Sequence, residues 1–164
     1  MKQTLCAVGL AAFCLTWAAS AGAGIADSPL PVLTVGATTF HLYSVPGVIA
    51  GGGLGTYFSC TSTDTATMQV GVEVFGSAGG APFNDAAATS LSVAPGATVT
   101  FGTGAAAGIS ISSNLGGSFS SSARILATSR KLACTAFVAD RGNAPPTSAW
   151  QLTIIAKLKQ KAAN

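Results

Sequence analysis

Charge is what this chain has least of. Only 8% of its 164 residues are Asp, Glu, Lys or Arg, with eight basic residues against five acidic ones. No basic run is present to track a phosphate backbone, which argues against nucleic acid as a partner. There is one histidine, His41, and Glu73 is the only glutamate. Proton transfer draws on those residue types, so most hydrolytic and redox chemistries have few groups to work with. No apolar run reaches the ~20 residues that span a bilayer as a helix. Apolar residues nevertheless make up 49% of the chain, enough for one packed core.

The apolar stretch from Leu5 to Ala19 follows Lys2 and precedes two small-x-small sites, Ala19-Ser20-Ala21 and Ala21-Gly22-Ala23. That is the pattern of a secretory signal peptide over 1–23, and it predicts a mature chain starting at Gly22 or Gly24. No Lys or Arg stop-transfer cluster follows, so the expected contact with a membrane is through the leader before cleavage; a retained anchor is the alternative. The expected location is secreted or periplasmic. Residues 24–164 read as a single domain, with no internal repeat and no dividing linker. Two cysteines remain after the leader, Cys60 and Cys134. In an exported chain they predict one disulfide, the alternative being two buried free thiols. Closing that loop would stabilise the fold by roughly 4 kcal/mol on the chain-entropy account.

Short β-rich runs alternate with Gly, Pro, Asn and Asp punctuation along the rest of the sequence. Strands are predicted over 39–45, 56–62, 68–75, 90–93, 98–101, 109–112, 123–128, 132–139 and 149–158. The 68–75 run is the clearest: Met68, Val70, Val72 and Val74 alternate with Gln69, Gly71 and Glu73, the period of two of a half-buried sheet. The valines are expected to pack near Cys134, Val138, Leu152 and Ile154. Glu73 is expected on the solvated face, so Val72→Asp abolishes folding whereas Glu73→Gln costs less than about 1 kcal/mol. In the last strand Trp150 shares the inward face with Leu152 and Ile154. No segment keeps a helical period, and about 7–9 short strands point to an all-β, antiparallel sandwich.

The placement of Cys60 in an early strand and Cys134 in the penultimate one resembles immunoglobulin-like domains. The stretch FSCTSTDTATMQVGVEVFGSAGG is similar to small bacterial exported sandwich modules. The resemblance implies an immunoglobulin-like β-sandwich whose Cys60–Cys134 disulfide joins the two sheets. Where such domains place a core Trp, this chain has Val72 and Phe75, and two positions before the second cysteine it has Leu132. No binding residue is carried over.

Candidate chemistry is sparse. His41 is the one candidate general base, placed with Tyr43 on the face opposite Phe40 and Leu42. A triad would need an Asp and a Ser beside it, and there is no Gly-x-Ser-x-Gly elbow. Glu73, Asp64, Asp85 and Asp140 are the pool for a carboxylate pair, but the aspartates sit where turn chemistry explains them. Asn84-Asp85 is too sparse for calcium. Gly51 to Gly55 lacks the Gly-Lys-Ser/Thr ending of a phosphate loop and reads as a hairpin connection. Lys157, Lys159 and Lys161 form a basic stripe that suits edge protection or an anionic surface. Trp150, Tyr43 and Tyr57 are candidates for a sugar platform. The reading is therefore an exported non-catalytic sandwich with a structural or adhesive role, without catalytic, metal or cofactor residues. Its partner would be another protein or an envelope or surface glycan. Alternatives are a carbohydrate- or small-ligand-binding domain, a fibre subunit donating Val32 to Val45 to a neighbour, and a hydrolase built on His41.

Overall fold

A computed structural model describes residues 24–117 and 120–157; the expected leader, Leu158, Lys159 and Lys161 lie outside them. In chain order its elements are β1 (Phe40–Val48), β2 (Ala50–Gly51), β3 (Leu54–Ser62), β4 (Met68–Gly76), α1 (Ala86–Thr89), β5 (Leu91–Val93), β6 (Thr98–Gly102), β7 (Ser113–Asn114), β8 (Ser121–Ala127), β9 (Leu132–Asp140), β10 (Ala149–Gln151) and β11 (Ile155–Ala156). One sheet has the order β11-β1-β8-β4-β5, and the second β10-β9-β3-β6-β7, with β2 paired to β3. The described pairings are antiparallel except β6 with β7, which run parallel.

Period-two alternation determines which side chains meet between the sheets. Val70, Val72 and Val74 of β4 and Ala123, Ile125 and Ala127 of β8 point inward from the first sheet. Phe58 and Cys60 of β3, Phe101 of β6 and Ala136 of β9 meet them from the second. Cys134, Leu152 and Ile154 pack against this core as expected. Gly52 and Gly53 carry the positive φ angles, 60° and 80°, that the tight β2–β3 turn requires, so the Gly51–Gly55 run is a hairpin.

Cys60 and Cys134 are joined, but not between sheets. They face each other on neighbouring strands of the second sheet, in register, with Cα atoms 4.1 Å apart. The expectation of an inter-sheet link assumed that β3 and β9 belong to different sheets, whereas they pair over their full length. A link between the layers comes instead from Tyr43, whose hydroxyl donates from β1 to the carbonyl of Leu132 at the start of β9.

Four further expectations change. β1 does not stop at Pro46 but runs to Val48. Its partner β11 meets it only at Tyr43 and Ser44, so the missing proline donor falls where β11 offers no acceptor. The β1–β8 register also slips between His41 and Tyr43, with Leu42 as the extra residue. Tyr43 thereby turns to the core, away from His41, which shares the outer face with Ser44. The final strand is two strands in different sheets. β10 pairs with β9, Leu152 N donates to Ala136 O at 2.8 Å, and the chain then crosses to β11 beside β1. Trp150 therefore sits on a three-residue rim strand and is 56% exposed rather than packed inward. The predicted edge strand 109–112 lies instead at β7.

Candidate functional site

The outer face of the first sheet brings together Glu73, Arg124, His41 and Lys157. Register sets Ser44 (β1), Arg124 (β8) and Glu73 (β4) side by side, with His41, Leu126 and Gly71 in the adjacent row. This face is not solvated. Residues 24–39 cross it as a strap, and α1 lies against β4 beside them. Arg124 is 1% and Glu73 4% exposed, which corrects the expectation of a solvated glutamate. Arg124 Nε donates to Glu73 Oε2 in a buried ion pair. Its Nη1 donates to Ser28 O at 2.9 Å and its Nη2 to Pro29 O at 2.8 Å. The guanidinium also lies 5.1 Å from the centre of the Phe75 ring. Beyond it, Leu33 closes a small apolar cluster with Ala86 and Leu126. A Cβ on Gly71 would come within 3.1 Å of both Leu33 Cδ2 and Ala86 O, so glycine is what lets the strap and α1 approach this closely.

His41 is buried in the same face. Its Nε2 lies 3.0 Å from Ser44 Oγ and its Nδ1 3.3 Å from Lys157 Nζ. An ammonium only donates, so Nδ1 is the acceptor and the ring proton sits on Nε2, pointing at Ser44. In that tautomer His41 has no lone pair free to take the Ser44 proton. Burial, then the positive charges of Lys157 and Arg124, hold its pKa at about 4, which keeps the ring neutral near pH 7. Serine and histidine are thus adjacent, joined by a hydrogen bond with the ring proton on the Ser44 side.

The carboxylates are dispersed, and each serves its own neighbourhood. Asp85 caps α1 by accepting from Ala87 N and Ala88 N. Asp64 accepts from Ser129 Oγ, Thr65 N and Lys131 Nζ, which pulls its pKa to about 2. Asp140 gathers the 140–148 loop by accepting from Ser148 N, Asn143 and Thr147, with its pKa likewise at about 2. Asp27 accepts from Gly24 N. Among the described residues no group of three or more His, Cys, Asp or Glu lies close enough to hold a metal ion.

The proposed sugar platform is not assembled. Tyr43 faces the core, and Tyr57 is buried on the outer side of the second sheet, its ring stacked 5.4 Å from Phe137. Trp150 stays exposed at the rim. Next to it an open notch of about 410 Å³ is lined by Cys134, Thr135, Gln151, Leu152, Thr153 and Ile154. Of the lysine stripe only Lys157 is described; it is exposed, and its Nζ lies 3.3 Å from His41 Nδ1.

Arg124 and the strap were not anticipated as a unit. The signals were an arginine inside the apolar run Ala123–Ala127 and a single glutamate inside the valine run, two charges that burial would force to pair. Among the described residues no helix is long and apolar enough to cross a membrane. In comparison with known proteins, no family model, no curated protein and no solved structure matches this chain.

Proposed function

We propose that this chain is an exported, non-catalytic β-sandwich module with a structural or adhesive role in the periplasm or outside the cell. The observation that carries this reading is the use made of the ionisable side chains. Glu73 and Arg124 clamp the strap, and Asp85, Asp64 and Asp140 organise turns. His41 is held neutral in the tautomer that cannot serve Ser44. The Cys60–Cys134 disulfide fits an oxidising compartment. The two-sheet arrangement supports an immunoglobulin-like relationship, although the disulfide lies within one sheet. The test is co-sedimentation of the purified chain with the cell envelope and surface polymers of its producer. Saturable retention is expected, and it should survive His41→Ala. Absence of any retention, or a hydrolytic activity lost in His41→Ala, would reject this reading.

A carbohydrate-binding role is the second reading, favoured by the exposed Trp150 beside the notch side chains Thr135, Gln151 and Thr153. An indole face stacks on a sugar ring while amide and hydroxyl groups fix its orientation. Titration of neutral oligosaccharides against tryptophan fluorescence tests it, with Trp150→Ala as the control that should abolish binding.

A further inference from the structure

We propose that residues 24–39 are an exchangeable strap, and that the groove they fill on the outer face of the first sheet also binds the strap of a second copy of this chain. The proposal rests on the reading of a structural, assembling module. The strap forms no strand, and its backbone bonds are internal: Asp27 N and Ser28 N donate to Gly24 O, and Ala37 N to Thr34 O. Among the described residues its hydrogen bonds to the sheet are the two that Arg124 donates to Ser28 O and Pro29 O. Leu33 supplies the apolar anchor. It can therefore leave without breaking a strand ladder. β1 cannot be donated on such terms, because it lies between β8 and β11 and places Val45 and Val48 in the core. That moves the exchangeable segment from Val32–Val45 to residues 24–39.

The dock stays with the sheet. Glu73 and Phe75 hold the guanidinium, Asp85 caps α1, and Gly71 leaves the space that Leu33 enters. Pro29 and Pro31 favour an extended backbone and lack N–H groups, so the segment is recognised through its carbonyls. The occupant follows from identity: every copy's dock is complementary to every other copy's strap. Exchange keeps each docking contact and changes only the turn before β1. An empty dock would expose the Arg124 guanidinium, Leu126 and Ala86 to water, and a strap from either copy buries them again. Leu30, Val32 and Val35 stand on the strap 42%, 63% and 94% exposed, apolar side chains available to be covered where two copies meet.

The test places Leu33→Cys and Ala86→Cys in the full chain and joins them with a short thiol-to-thiol linker after equilibration at a series of concentrations. The expected result is covalent dimers and longer ladders, with the dimer-to-monomer ratio rising about tenfold for each tenfold rise in free monomer. Internally linked monomer alone at every concentration would overturn the proposal. Native mass spectrometry of the unmodified chain over the same range guards against misfolding of the variant. Dimers growing with concentration are expected, and monomer alone would again overturn the exchange. Envelope binding by a chain that remains monomeric would remove the exchange and leave the adhesive reading standing.

Discussion

Arg124 is the largest of the fully buried side chains, and it lies in the central strand of its sheet. A charge there is tolerated because Glu73 neutralises it and two strap carbonyls complete its hydrogen bonds. Glu73→Gln removes the neutralising charge and should destabilise the fold by about 3 kcal/mol, well above the cost of a surface change. Replacing both partners by apolar residues, Glu73→Leu with Arg124→Met, should recover part of that loss. Urea unfolding of the three variants measures both effects. The alternation of β4 was legible from the sequence down to which side Glu73 takes. Its burial was not, because period two reports the side of a sheet and says nothing of what covers that side. His41 gives a pH prediction at the same scale. Its pKa falls from the ordinary 6.5 to about 4 on folding. The unfolded chain therefore binds the proton more tightly in that window. His41's contribution is present in full above pH 6.5 and lost as the pH falls toward 4. Each unit of depression corresponds to about 1.4 kcal/mol. His41→Gln should flatten the dependence of urea midpoint on pH between 4 and 6.5, with the histidine resonances giving the folded pKa directly.

Among the elements, β3, β4 and β9 read cleanly from the sequence because each has a long uninterrupted alternation. β1 and the final strand did not, for a shared reason: both change face or sheet partway along. One inserted residue, Leu42, reverses the parity of the residues after it until a second slip between Pro46 and Val48, so Tyr43 and Val45 reach the core together. The Tyr43 hydroxyl then joins the two sheets, and Tyr43→Phe should cost about 1 kcal/mol by thermal or urea unfolding. The strap is tied to the sheet by the two hydrogen bonds from Arg124 and by Leu33, and Gly71 is the position that admits it. Gly71→Ala should push against Leu33 and the Ala86 carbonyl and loosen the strap, at a cost of about 1–3 kcal/mol. Limited proteolysis should then cut first within residues 24–39, while β4 and β8 resist.

At the scale of the whole molecule, two sheets share one core, and each layer is secured differently. The second sheet has a covalent tie between β3 and β9 that closes a sequence separation of 74 residues. The first is held by the buried pair and by an N-terminal segment folded over its outer face. The all-β class and the identity of the disulfide partners were legible because composition and cysteine count constrain them. Which sheet each cysteine occupies was not, because that depends on strand order. The proposal that ties these features together is export: a leader removed at Gly22 or Gly24 would leave the strap at the new N-terminus and deliver the cysteines to an oxidising compartment. The most direct test is the intact mass of the chain recovered outside the producer's cytoplasm, alkylated before and after reduction. The account predicts a chain starting at Gly22 or Gly24 that takes up no alkylating agent until it is reduced, and then two equivalents. A chain that keeps Met1 and whose Cys60 and Cys134 alkylate without reduction would contradict it.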